Sequence, residues 1–212
     1  MTRILVADDH VVVRAGVRRV LEDLSNYEVV AEAADGKEAI VKAIETKPDV
    51  VVLDYALPLM NGSEVTRQIR AQLPRTEVLV FTMHDSEELI EEALKAGARG
   101  YLLKSDANRD LIEAVASVAG HRPFFTNKVT DTLLKRYFNG SGQPSSGSIL
   151  TNRERGVVQL IAEGHSNKQV ATVLNISAKT VETHRAAVMR KLNYSSSAAL
   201  VRYAIRNQLV QA

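Results

Sequence analysis

Three aspartates, a threonine and a lysine carry the most pointed chemistry in this sequence of 212 residues. Asp8 and Asp9 close an apolar run at 3–7, Asp54 closes one at 49–53, Thr82 one at 77–81 and Lys104 one at 99–103. Singly, each has an ordinary reading. An aspartate after a strand commonly caps a turn or helix, Asp-Asp before a helix suits the positive end of its dipole, and a hydroxyl or ammonium can simply be solvated. Together they form one set. Carboxylates a few Å apart repel by an amount on the order of kcal/mol even when screened, and a divalent cation relieves that. A site expected to be all-oxygen, free of histidine and cysteine, favours Mg2+ over zinc. Thr82 and Lys104 beside the cation suit phosphoryl oxygens, and a carboxylate there can become an aspartyl phosphate.

The elements that must position these residues alternate two periods. Strands are predicted at 3–7, 28–33, 49–53, 77–81 and 99–103, and helices at 11–24, 36–46, 63–73, 86–96 and 106–119. The run Asp49-Val-Val-Val-Leu53 lacks alternation, as a parallel strand buried on both faces does. Pro48 and Pro74 stop two helices, and Gly97 ends a third. Five strands alternating with five helices imply an α/β fold, a doubly wound five-stranded parallel sheet. The C-terminal strand ends of such a sheet converge on one crevice, which is where the five polar residues stand.

The chain then changes character. Residues 1–122 hold 15 Lys+Arg and 21 Asp+Glu, whereas residues 123–212 hold 12 and 4. An acidic half joined to a basic half implies two domains with different partners, the basic one suited to a polyanion. The domain boundaries follow as 1–121, a linker at 122–148 with a helix near 126–138, and 149–212. Within the linker, Asn139–Ser148 has three Gly, four Ser and a Pro, which reads as flexible.

The last block is all helical by pattern. Thr151-Asn-Arg-Glu154 and Ser166-Asn-Lys-Gln169 fit the capping box, Asn175-Ile176-Ser177 is a tight turn, and helices follow from Ser177 to about Lys191 and over 195–207. On the third helix Lys179, Glu182, Thr183, Ala186 and Arg190 share one face, opposite Val181, Val188 and Leu192. A short helix, a tight turn and a helix with polar reach is the helix-turn-helix arrangement, which fits the major groove of DNA. Lys168, Lys179, Arg185, Arg190 and Lys191 are a source of phosphate contacts. From geometry alone, a helical protein-interaction bundle with a solvated charged face stands beside this reading.

Both blocks resemble known families. Asp8-Asp9, Leu53-Asp54 with Leu57-Pro58 and Gly62, Thr82, and Tyr101 three residues before Lys104 resemble the receiver domain of two-component response regulators over residues 1–120. The resemblance implies that Asp54 accepts a phosphoryl group from a sensor histidine kinase. It implies that Asp9, Asp54 and the Ala56 carbonyl ligate Mg2+ with Asp8 acting through water. Thr82 and Lys104 would hold the phosphoryl oxygens, and Tyr101 would report the state by moving inward. Leu150–Arg155, Gly164–Ala171 and Ile176–Arg185 with Lys191-Leu192 resemble the LuxR-type helix-turn-helix. That implies double-stranded DNA binding as a homodimer through the last helix, base contacts at Glu182, Thr183 and Ala186, and Thr180 at the interface, with RNA polymerase as a further partner. In this order the blocks resemble a NarL/FixJ-type response regulator, a cytoplasmic transcription regulator rather than an enzyme. Ser105 stands where many receivers have proline. Gly156 stands where a larger residue is usual, at a helix cost up to ~1 kcal/mol.

Composition narrows the rivals. With no cysteine there is no disulfide framework and no thiol nucleophile. No stretch approaches the ~18–20 apolar residues of a membrane helix, and Met1 to Val13 lacks the pattern of a signal peptide. A phosphohydrolase needs a catalytic acid near its nucleophile, and Ala56 stands at the place for it. A constitutive dimerisation module would need none of the acidic residues. A small-ligand sensor needs an aromatic-rich pocket, and the first block offers only Tyr27, Tyr55, Phe81 and Tyr101. An imidazole on an exposed loop is expected at His84.

Overall fold

The computed structural model describes residues 1–138, 149–207 and 209–210. Five strands lie where the sequence places them: β1 (Thr2–Ala7), β2 (Tyr27–Ala33), β3 (Val50–Leu53), β4 (Glu77–Thr82) and β5 (Gly100–Leu103). Between them run α1 (Val11–Glu22), α2 (Gly36–Thr46), α3 (Gly62–Gln72), α4 (Glu87–Ala96) and α5 (Ala107–Ala119). Asp35, Asn61 and Ser86 each cap the following helix by accepting an amide N–H, which satisfies one of its otherwise unpaired donors. Gly97 ends α4 in the left-handed region with φ 102°.

All strands pair in parallel in the order β2-β1-β3-β4-β5-β6. The sixth strand departs from the five expected. It is Phe124–Phe125, inside the stretch read as linker, and it pairs with Gly100 and Tyr101 of β5. Covering the exposed edge of β5 stabilises this two-residue strand, so its own pattern carries no signal. The α6 helix (Asn127–Phe138) follows. The flexible run expected at Asn139–Ser148 lies outside the described residues.

The sheet core has two faces. Ile4, Val6, Val50, Val52, Leu79 and Leu102 pack with α1 and α5 residues such as Leu21, Leu111 and Val115. Leu5, Val51, Leu53 and Val78 pack with Ile40, Val65 and Ile69 of α2 and α3. β3 is buried at all four positions, which is why its run is unbroken. At the far end of the sheet Val129 of α6 joins Tyr55, Val80, Leu89, Ile90, Tyr101 and Leu103.

The C-terminal unit comprises α7 (Asn152–Ala162), α8 (Asn167–Leu174), α9 (Ala178–Leu192) and α10 (Ser197–Arg206). Both expected capping boxes form, Thr151 with Glu154 and Ser166 with Gln169. Asn175 turns the chain between α8 and α9 at φ 53°, a left-handed conformation that asparagine tolerates. Val157, Leu160, Val170 and Val181 form one cluster. Val158, Val188, Leu200 and Ala204 form another. A Cβ at Gly156 would meet only Leu174 Cδ2, at 3.7 Å, so no packing explains the glycine. Among the described residues no helix is long and apolar enough to cross a membrane.

Candidate functional site

Strand order reverses between β1 and β3, and the crevice of an open parallel sheet opens at such a switch point. Asp8 and Asp54 stand at the ends of these two strands, buried to 1% and 2% exposure. The Asp8 amide donates to Ala33 O and the Asp54 amide to Ala7 O, which carries the sheet ladder to both aspartates. Gly62 makes the turn behind Asp54 possible. A Cβ there would lie 2.8 Å from Tyr55 Cα and 2.9 Å from Asp54 O, and its amide donates to Tyr55 O at 2.7 Å.

Lys104 comes from the end of β5, with its side chain 10% exposed. Its Nζ is 2.7 Å from Asp54 Oδ2 and 2.6 Å from Asp8 Oδ2. The Asp54 contact is a hydrogen bond, whereas Asp8 Oδ2 has no hydrogen-bond partner, so the second contact is an ion pair off the hydrogen-bond line. Burial alone would lower the Lys104 pKa, but Asp54 and Asp8 outweigh it and raise it. Burial raises the Asp8 carboxyl, and the Asp54 charge adds to this. Phe81 lies under the ammonium, 6.0 Å from nitrogen to ring centroid.

Carboxylate oxygens of Asp8, Asp9 and Asp54 lie with a His10 nitrogen within 4.8 Å of one another. Asp8 Oδ2 and Asp9 Oδ1 are buried without hydrogen-bond partners. Lys104 and His10 are their basic neighbours, and carboxylate oxygens gathered within 4.8 Å of one another fit a hard divalent cation. His10 corrects the expectation of a site free of histidine: its Nδ1 is 2.8 Å from Asp9 Oδ1 and 3.3 Å from Asp8 Oδ1, and its amide donates to Asp8 Oδ1. Its place directly after Asp-Asp was the available signal. Ala56 is buried, and its amide donates to Asp54 Oδ1 at 3.4 Å.

Thr82 is the last residue of β4 and fully buried. Its Oγ1 accepts the His84 amide at 3.4 Å. His84 is half-buried rather than exposed, and burial lowers its pKa. Tyr101 is also fully buried. Its hydroxyl donates to the His84 carbonyl at 2.7 Å, so the ring already lies inward. Lys128 of α6 pairs with Asp85.

On α9 the structure leaves Lys179, Glu182, Thr183, Ala186, Arg190 and Lys191 exposed, and Lys168 of α8 with them. Two of the cations are engaged. Lys191 Nζ is 2.6 Å from Glu154 Oε2, and Arg185 donates to Ser197 Oγ at 2.6 Å. Thr180 sits in the capping turn, with its amide on Ser177 Oγ. Thr183 Oγ1 donates back to Lys179 O.

Sequence reasoning missed the groups joining the two units. Arg155 and Tyr55 both meet Glu92, Gln159 meets Leu57 O, and Glu163 meets Leu59 N. No spacing signals them.

Comparison with known proteins gives the same two parts. Residues 4–116 match the response regulator receiver domain, and residues 148–204 match the bacterial regulatory proteins of the luxR family. The oxygen regulatory protein NreC of Staphylococcus epidermidis is 41% identical over 216 residues, covering 99% of each chain. The response regulator ChrA of a heme-sensing two-component system has a solved structure 34% identical to this chain. It covers 99% of this chain and 98% of its own, with a TM-score of 0.53. RcsB of Salmonella enterica serovar Typhimurium, solved bound to promoter rprA with the phosphomimetic BeF3-, is 28% identical. It covers 95% of this chain and 97% of its own, with a TM-score of 0.67.

Proposed function

Since the chain belongs to the two-component response regulators that join a receiver domain to a LuxR-type DNA-binding domain, we propose that phosphorylation of Asp54 switches DNA binding by the C-terminal unit. The observation that carries this is Lys104 reaching Asp8 and Asp54 at once from a third strand end, beside carboxylate oxygens of Asp8, Asp9 and Asp54 gathered within 4.8 Å. Asp54 Oδ attacks the phosphorus of a phosphohistidine on a sensor kinase. The new P–O bond forms as the P–N bond breaks, and the departing nitrogen keeps the electron pair. Lys104 and the Thr82 hydroxyl hold phosphoryl oxygens. Asp9, Asp54 and the Ala56 carbonyl are the residues for Mg2+, with Asp8 acting through water. The bound ion supplies positive charge that offsets the carboxylates and the incoming phosphoryl group.

The phosphoryl group adds about −1.5 to −2 charge. Drawing Thr82 toward it shifts the packing around Tyr101 and biases a two-state receiver. The DNA-binding unit, 149–212, then reads a major groove with Glu182, Thr183 and Ala186. Lys168, Lys179, Thr180, Arg185, Arg190 and Lys191 serve at the phosphates, two copies pair through α10, and RNA polymerase is a further partner. The receiver spans 1–121 and the connection 122–148. The protein is a regulator acting in the cytoplasm, and its only chemistry is its own phosphoryl transfer. The exposed polar face of α9 over the buried Val181 and Val188 supports the DNA reading.

The test is intact mass after incubation with Mg2+ and acetyl phosphate. A single phosphoryl adduct on the wild-type chain, absent from Asp54→Asn, is expected. An adduct that persists in Asp54→Asn overturns the assignment.

A further inference from the structure

Arg155 and Gln159 of α7 and its C-cap residue Glu163 are spaced by four and form one stripe. That stripe faces the loop following Asp54. Gln159 Nε2 donates to Leu57 O at 2.8 Å, and Glu163 Oε2 accepts the Leu59 amide at 3.2 Å. Arg155 pairs with Glu92 of α4, and Glu92 also accepts the Tyr55 hydroxyl at 2.6 Å. Gln159 and Arg155 are both buried, so docking takes these polar groups out of water. Leu59 adds an apolar contact. Its φ is 65°, a region costing a non-glycine residue roughly 1–2 kcal/mol, and its side chain packs on the cluster of Val157, Leu160, Val170 and Val181. Every second residue of the acceptor loop, 55, 57 and 59, is thus held by the DNA-binding unit, the first through Glu92. The reading face of α9 takes no part, since Glu182, Thr183, Ala186 and Arg190 remain exposed.

Resting on the reading of Asp54 as phosphoacceptor, we infer that Arg155, Gln159 and Glu163 are positioning residues for phosphoryl acceptance: by fixing residues 55–59 in the docked geometry, α7 slows transfer to Asp54. In this geometry Asp54 Oδ2 bonds Lys104 and Oδ1 accepts the Ala56 amide. A phosphoryl group on Oδ1 displaces the Ala56 amide, and one on Oδ2 draws Lys104 away from the carboxylate, so acceptance at Oδ1 requires the loop to move. Each such movement works against a contact with α7. Glu92 receives the same signal from a second side, because Leu89 and Ile90 of its helix pack with Tyr55 and Tyr101. If the docked state accepts poorly, the observed rate follows the undocked fraction. The DNA-binding unit then governs the receiver's chemistry, and not only the reverse.

The experiment uses the full chain with Mg2+ and acetyl phosphate, followed by intact mass, together with hydrogen exchange of the Leu59 amide before phosphodonor is added. In Gln159→Ala/Glu163→Ala, Leu59 exchange accelerates and phosphoryl incorporation rises roughly five- to tenfold, the worth of two net hydrogen bonds at the weak end of their range. Arg155→Glu alone also accelerates incorporation. Adding Glu92→Arg to it restores the rate to within about twofold of wild type, which mere misfolding of α7 would not allow. Incorporation that stays unchanged or slows while Leu59 exchange accelerates overturns the inference and leaves the phosphoacceptor assignment standing. Failure of that assignment reads differently: the adduct survives Asp54→Asn.

Discussion

The Tyr101 hydroxyl donates to the His84 backbone carbonyl across 2.7 Å, tying the middle of β5 to the loop two residues beyond Thr82. The same ring packs against Val129 of α6 and Leu89 and Ile90 of α4. One buried side chain therefore joins the loop after Thr82 to a cluster that includes α4 and α6. Removing the hydroxyl in Tyr101→Phe leaves the carbonyl without this partner. A loss of about 1 kcal/mol in stability is expected, read as a lower urea midpoint with an unchanged slope, while phosphoryl incorporation at Asp54 persists.

Lys104 occupies the cation's side of the pocket, 2.6 Å from Asp8 and 2.7 Å from Asp54. Lys104→Met takes a positive charge away from three carboxylates. Mg2+ affinity measured by calorimetry should rise, on the order of tenfold given pair energies of this size. Phosphoryl incorporation should fall, because a cationic donor to phosphoryl oxygens is gone. Equal Mg2+ affinity in the two proteins would show that Lys104 does not compete for the site.

Ala56 stands two residues after Asp54, the proposed phosphoacceptor, with no group to orient a water. The wild-type acyl phosphate is therefore expected to be long-lived, and Ala56→Asn to shorten its half-life. Loss of the mass adduct with time measures this directly, and equal half-lives would count against it.

Glu77 lies at the opposite end of the sheet, 3% exposed at its side chain, with Arg99 at 3.0 Å, Arg70 at 3.1 Å and His121 Nδ1 at 2.9 Å. Burial alone would raise its carboxyl, but Arg99, His121 and Arg70 outweigh burial and hold it below the ordinary 4.5. A depressed folded pKa contributes stability above the ordinary value and loses it as pH falls through the folded one. Glu77→Gln should cost roughly 1–3 kcal/mol near neutral pH. The gap to wild type should close as pH drops below 4.5, in thermal melts across that range.

Arg190 and Lys191 are adjacent on α9 but differently employed. Arg190 is exposed, whereas Lys191 pairs with the capping-box Glu154 at 2.6 Å. Arg190→Ala should reduce the salt slope of duplex binding by about one contact's worth. Lys191→Ala should reduce the slope by less, because Glu154 shares its ammonium, and should also lower the melting temperature of the C-terminal unit. Fluorescence anisotropy with a duplex of arbitrary sequence at several salt concentrations separates the two.

Much of this molecule was legible along the chain because the deciding forces are local. Apolar period gave five strands and the helices between them, Ser and Thr with partners three residues on gave the capping boxes, and strand ends placed Asp8, Asp54 and Lys104 in one crevice. A parallel sheet brings its C-terminal ends together whatever the loops do, so type and position sufficed for the acidic pocket. Tertiary structure decided what depends on neighbours distant in sequence. Phe124-Phe125 becomes a strand because β5 offers an open edge, not because of its own pattern. His84 is half-buried, its carbonyl held by the Tyr101 hydroxyl of the neighbouring strand. Lys191 is taken by Glu154, 37 positions away. Above all, Gln159 meets Leu57 across 102 positions and Glu163 meets Leu59 across 104. Such contacts rest on shape and on burying paired polar groups together, and neither period nor spacing records them.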